Sequence, residues 1–156
     1  MITKKLKDFL TKNSIKYEVI KHATAYTAQE TAHSAHVPGN KVAKTVIVKI
    51  DGDMAMAVLP ANQKVILQDL REITGADDVQ FASEDEFVDL FPGCEPGAMP
   101  PFGNLYGMEV FVAESLTEDR EIAFNAGSHR ELVKMTYKDF ESLVKPKVMK
   151  FSVEIK

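Results

Sequence analysis

The run from Ala43 to Pro60 constrains this chain more than any other. AKTVIVKI is followed by Asp51-Gly52 and then by MAMAVLP. Two apolar segments joined by Asp-Gly predict a β-hairpin, because that dipeptide supplies the positive φ a tight turn needs. Around it the chain alternates between short elements. Ile2, Leu6, Phe9 and Leu10 recur at helical spacing, predicting an amphipathic helix over residues 3–12. YEVIKH reads as a strand. Thr27 with Glu30 forms a capping-box pattern, whose hydroxyl and carboxylate satisfy free N–H groups, so a helix is expected from about Ala28 to Ala35. HVPGN ends it. VILQDLREITG passes from strand to helix and closes at Gly75, and Ser83 with Glu86 offers a second capping box ahead of EFVDLF. Strands follow at MEVFVA, EIAFNAG and ELVKMT, then a helix at YKDFESLV and a last strand near VMKFSVEI. The expectation is one mixed α/β domain over residues 1–156, with a sheet of about six or seven strands.

The length of 156 residues is enough for a core without disulfide staples. A hydrophobic content of 45% and a charged content of 27% are those of a globular protein. No run reaches the roughly 20 apolar residues of a membrane helix, so no membrane partner is expected. MITKKLKDFL has neither an apolar stretch nor a cleavage site of the secretory kind. The one cysteine, Cys94, fits a reducing compartment. The cytoplasm is the expected location.

A net charge of −4 argues against bulk electrostatic coating of nucleic acid, and no DNA partner is expected. Its distribution is uneven. Residues 69–95 hold nine acids against Arg71, while the first 21 residues and the last 23 carry six lysines each. If the two ends meet in the fold they would form a basic face; otherwise these are solvated lysines on amphipathic elements.

The chemistry-bearing residues are few. GCEPGAMPPFG, residues 93–103, holds Gly93, Gly97 and Gly103 with Pro96, Pro100 and Pro101. It is either an elaborate turn or backbone shaped to hold a ligand. His33 and His36 fall short of the spacing of a zinc helix, and the chain has neither a phosphate-binding loop motif nor a nucleophile-elbow motif. No metal and no cofactor is expected. Lys44, at the start of an apolar strand, would either reach into a pocket as a fixed cation or snorkel to water. His129, in NAGSHREL, is a site residue or a loop histidine with one structural hydrogen bond. Cys94 with His129 as its base is a conceivable thiol nucleophile that no spacing supports.

Taken together, HATAYTAQETA, VAKTVIVK, GCEPGAMPPFG and NAGSHRELVKM resemble the YbaK and prolyl-tRNA-synthetase-associated editing-domain family, in order, from about Tyr17 to Lys145. The resemblance implies a single domain with a central mixed, curved β-sheet flanked by helices. It also implies an aminoacyl-tRNA deacylase that hydrolyses the ester of a misacylated tRNA without metal, the terminal ribose hydroxyl helping to activate water. Lys44 matches the family's active-site lysine, and Gly97 and Pro101 match its G-x-x-x-P loop, whose backbone borders the substrate carbonyl. His129, with Ser128 before it, matches the G-x-H loop of the alanine-editing branch, which points to alanyl-tRNA(Pro) as substrate. His22, Tyr26 and Thr27 fall in the segment lining the other side of that pocket. The implied partners are the aminoacyl-tRNA acceptor end and an aminoacyl-tRNA synthetase. Two alternatives stand beside this reading. One is a non-catalytic tRNA- or synthetase-binding module of the same fold, and the other is a small-ester or thioester hydrolase using Cys94.

Overall fold

A computed structural model describes residues 2–155. In chain order the described elements are α1 (Lys4–Lys12), β1 (Glu18–Lys21), α2 (Ala28–Ser34), β2 (Val42–Ile50), β3 (Asp53–Pro60), β4 (Gln63–Val65), α3 (Leu67–Thr74), β5 (Val79–Phe81), α4 (Glu84–Phe87), β6 (Glu109–Ala113), β7 (Glu121–Asn125), β8 (Glu131–Thr136), α5 (Tyr137–Val144), β9 (Lys147–Met149) and β10 (Ser152–Glu154).

The hairpin forms the centre. β2 and β3 pair from Ala43↔Pro60 to Ile50↔Asp53, and Asp51 and Gly52 take φ of 50° and 87°. Positive φ at both turn residues matches the twist of the flanking strands. The large sheet has the order β1-β8-β7-β2-β3-β6-β9, with β5 also on β2. β7 runs parallel to β2, β6 to β3 and β9 to β6, and the other pairs are antiparallel, so the sheet is mixed.

The strand count differs from the sequence expectation. The large sheet has eight strands, one of them the three-residue β5, which sits in the acidic segment and has too few residues to show a period of two. VMKFSVEI is two strands rather than one. The chain breaks at Lys150 and Phe151, where the Phe151 ring is fully buried. β9 then joins the large sheet and β10 pairs with β4.

Alternation along the hairpin sorts the core into two sides. Ala43, Ile47, Met56 and Val58 face Leu6 and Leu10 of α1 and Phe140 and Val144 of α5. Val48, Ala55, Ala57 and Leu59 pack with Leu70 of α3 and with Phe151. On that second side Val42 and Ala123 pack with Ala32 of α2.

The Gly/Pro segment is tied into the first side. Phe102 has no exposed surface and meets the rings of Phe124 and Phe140 at centroid distances of 5.5 and 5.4 Å. A Cβ on Gly103 would lie 2.6 Å from Met108 O, so close backbone approach alone demands glycine there. The two lysine-rich ends do meet, since β1 pairs with β8. Carboxylates come with them. Lys134 lies 3.6 Å from Glu18 and 3.8 Å from Glu121, so this edge is mixed in sign rather than a basic face, and at the opposite edge of the sheet Lys147 of β9 pairs with Glu109 of β6.

Candidate active site

A cleft opens where β2 parts from β7. The two strands pair only at Val42 and Ala43, and β2 next gains a neighbour on that edge at Val48, from β5. Strand residues alternate the edge to which their N–H and C=O point. Val42 O faces β3, accepting from Ala61 N at 2.7 Å, and Ile47 O faces the other edge, accepting from Ala82 N at 3.0 Å. Thr45 shares the parity of Ile47, so its N–H and C=O point into the opening.

The cleft is small, about 130 Å³, and is lined by Lys44, Thr45 and Asn125 from the strands, Gly97 and Met99 from the Gly/Pro loop, and Ala28 from α2. Lys44 is half-buried, and its ammonium donates to Ala61 O at 3.5 Å. Burial pushes its pKa below the usual 10.5, because desolvation disfavours the charged form. Among the described residues no carboxylate lies within 4 Å of it. Asn125 ends β7 with its Oδ1 enclosed and without a hydrogen-bond partner.

The wall opposite Lys44 is built from two loops laced together. Glu95 N donates to Gly127 O at 2.8 Å, Gly127 N donates to Ala98 O at 2.7 Å, and His129 N donates to Glu95 Oε2 at 3.1 Å. His129 Nε2 donates to Pro96 O at 2.7 Å, since a carbonyl oxygen can only accept. Nδ1 is buried and has no partner among the described residues. Between these anchors Gly97 has φ of 84°, and a Cβ there would stand 3.4 Å from His129 Cε1. The left-handed backbone and the ring behind it both select glycine.

The residues singled out from sequence divide into those that reach the cleft and those that do not. Lys44 and Gly97 line it together. His129, only 4% exposed, stands behind Gly97, and the Tyr26 ring lies over it at a centroid distance of 5.0 Å. Thr27 caps α2, accepting from Glu30 N at 3.0 Å, and so places Ala28 at the cleft. Pro101 is buried beneath the loop, and Ser128 Oγ accepts from Arg130 N at 3.3 Å; neither lines the cleft. His22 lies outside it as well, its Nδ1 donating to Ala23 O at 2.6 Å. Thr45, Met99 and Asn125 escaped sequence reasoning. Asn125 carried a readable signal, being a polar residue that ends the apolar run EIAF just before Ala126-Gly127.

Cys94 is off the cleft. It is half-buried, burial pushes its thiol up from 9.0, and its neighbour is the Tyr106 hydroxyl at 3.9 Å. His129 has its Nε2 committed to Pro96 O, so no thiol–imidazole pair forms here.

A mixed sheet flanked by helices, with a lysine facing a glycine loop across a strand gap, defines an α/β domain with a candidate binding cleft. The chain belongs to the aminoacyl-tRNA editing domain family, whose model matches residues 22–143. Proline–tRNA ligase of Staphylococcus saprophyticus is 34% identical over 76 residues, 49% of this chain and 13% of the ligase. The Staphylococcus aureus ligase is 32% identical over 84 residues, 54% of this chain and 15% of the ligase. The matched stretch thus spans well under a fifth of these curated relatives. Among solved structures, hypothetical protein APE2540 superposes with a TM-score of 0.85 at 19% identity, covering 96% of this chain and 100% of that one. A structure described as a candidate trans-editing enzyme for prolyl tRNA synthetase gives 0.81 at 18% identity, covering 96% and 95%. At these identities the structural likeness speaks to the fold. No described helix is long and apolar enough to cross a membrane.

Proposed function

We propose that residues 1–156 act as a single editing domain that hydrolyses the ester of a misacylated tRNA in the cytoplasm, with alanyl-tRNA(Pro) as substrate. The observation that carries this reading is the half-buried Lys44 ammonium, with no carboxylate of the described residues within 4 Å, facing the positive-φ Gly97 loop across a small cleft. Water attack on an aminoacyl ester builds negative charge on the former carbonyl oxygen. Backbone N–H groups stabilise that charge only where no side chain crowds them, and Gly97 together with the unpaired Thr45 N–H offers such a wall. One oxyanion donor of this kind is worth about 3 to 4 kcal/mol. Lys44 holds a phosphate or carbonyl oxygen of the adenosine terminus as an ammonium donor, with no need to give up its proton in the reaction. The lining residues include no histidine or carboxylate to act as base, so the ribose hydroxyl beside the ester takes the role of orienting water. The small volume favours a small side chain, although a single methylene discriminates by only about 1 to 3 kcal/mol.

Replacing Lys44 by Ala should abolish release of the amino acid from a panel of mischarged tRNAs while leaving the circular-dichroism spectrum unchanged. Wild-type rates on every substrate would remove Lys44 from the mechanism. The same lack of a protein base favours a second reading, a module that holds the acceptor end, or a synthetase, without turnover. Retention of tRNA with its aminoacyl group intact across the whole panel would decide for that module.

A further inference from the structure

The cleft accounts for an aminoacyl group, but not for an aromatic ring left in solvent at its rim. Tyr26 is 73% exposed, the highest exposure among the large apolar side chains of the described residues. It is nevertheless held in place. Its ring meets the His129 ring at a centroid distance of 5.0 Å with the planes tilted by 54°, and the backbone on either side is fixed by Ala25 N donating to His129 O at 3.2 Å and by the Thr27 cap of α2. His129 is itself fixed by Pro96 and Glu95. A largely exposed ring whose backbone is already fixed costs less to bind against, because part of its ordering precedes the ligand.

A cation is tied to the same segment. Arg130 is exposed, and its Nε donates to Thr24 Oγ1 at 3.1 Å, which ties the guanidinium to the segment that carries Tyr26. Among the described residues no carboxylate lies within 4 Å of it. Its remaining N–H groups form a planar donor fork suited to phosphate. An exposed aromatic ring at Tyr26 and an arginine anchored two residues away at Thr24 supply between them the two contacts that an unpaired nucleotide takes, a base on the ring and a phosphate on the guanidinium.

We propose that Tyr26 and Arg130 form a nucleotide platform at the mouth of the cleft, Tyr26 stacking an unpaired base of the tRNA 3′ end and Arg130 holding its phosphate. This rests on the deacylase reading for the identity of the RNA, and on the geometry of residues 24, 26, 129 and 130 for the platform.

The test is fluorescence anisotropy with the full protein and an uncharged single-stranded RNA ending in cytidine-cytidine-adenosine, alongside deacylation kinetics on mischarged tRNA. Tyr26→Ala should weaken RNA binding by about 5- to 150-fold, the span of one base–aromatic stack, whereas Tyr26→Phe should stay within about twofold because the ring supplies the contact. Arg130→Ala should weaken binding and make the slope of log K against log salt shallower by about 0.7, the value of one single-strand phosphate. Equal losses in Tyr26→Phe and Tyr26→Ala, or undiminished RNA binding in Tyr26→Ala, overturn the platform. So does an equal loss by Tyr26→Ala on an alanine methyl ester and on charged tRNA, since that would mean Tyr26 acts only by covering His129. The two readings fail separately. A wild-type protein that binds the RNA through Tyr26 without releasing amino acid from any charged tRNA keeps the platform and removes the deacylase. One that deacylates while Tyr26→Ala binds RNA normally does the reverse.

Discussion

Lys44 shows how far one residue's chemistry depends on its surroundings. A strand lysine in water titrates near 10.4, but half-burial in the cleft lowers the folded value. Between that lowered value and the ordinary one the unfolded chain binds more protons than the folded one, so stability rises with pH in this window. Activity should move the other way, falling as Lys44 loses its proton and its hold on an oxygen. The opposite trends are the expected outcome, read from a deacylation pH profile beside denaturation midpoints at the same pH values. Lys44→Gln should abolish the alkaline rise in stability that belongs to this group. A deacylation rate that stays flat to pH 10.5 would show that the ammonium is not required. Gly97 makes the complementary point, because its φ of 84° and the His129 ring behind it come from different parts of the chain. The sequence contained both residues in quotable motifs, yet their contact across 32 positions belongs to the fold.

At the scale of elements, local signals were read reliably where a side chain satisfies its own backbone. The Thr27 cap and the Ser83–Glu86 capping box both formed, since each needs only residues three apart. α2 depends on its cap more than the longer helices do, because seven residues hold few internal hydrogen bonds. Thr27→Ala should therefore cost about 1 kcal/mol of stability, seen as a lower denaturation midpoint and as faster hydrogen exchange at Glu30. It should also lower activity on charged tRNA, because Ala28 at the cleft follows directly from the cap. Unchanged exchange at Glu30 would mean that packing of Ala32 against Val42, and not the cap, fixes this helix. β5 and the β9–β10 pair were misread or missed for the converse reason. Three-residue strands acquire their identity from the partner they meet, and no pattern within them announces it.

On the scale of the whole molecule, the Gly/Pro segment links core and site. Phe102 sits among Phe9, Phe124 and Phe140, drawing together α1, β7 and α5, and five positions before it Gly97 lines the cleft. Phe102→Ala should lose about 3 to 5 kcal/mol, a large share of the 5 to 15 kcal/mol that typically separates folded from unfolded domains. Chemical denaturation measures this directly. Activity should fall at temperatures where the variant is still folded, because the loop loses its anchor. A loss below 1 kcal/mol would mean that the cluster collapses around the gap.

The sequence alone determined the central hairpin, the capped helices and the four motifs that carry the family likeness. Each is local, resting on turn chemistry, hydroxyl caps or residue order. It also named Lys44 and Gly97, though not what joins them. Only the tertiary structure decided that β2 parts from β7 after Ala43, that Thr45 and Asn125 face the resulting gap, and that Pro101 and Ser128 support the site without lining it. It also set Lys134 against Glu18 and Glu121 where the two ends of the chain meet. The reason is physical: a cleft is the place where two strands fail to pair, and pairing between distant segments leaves no mark in either one.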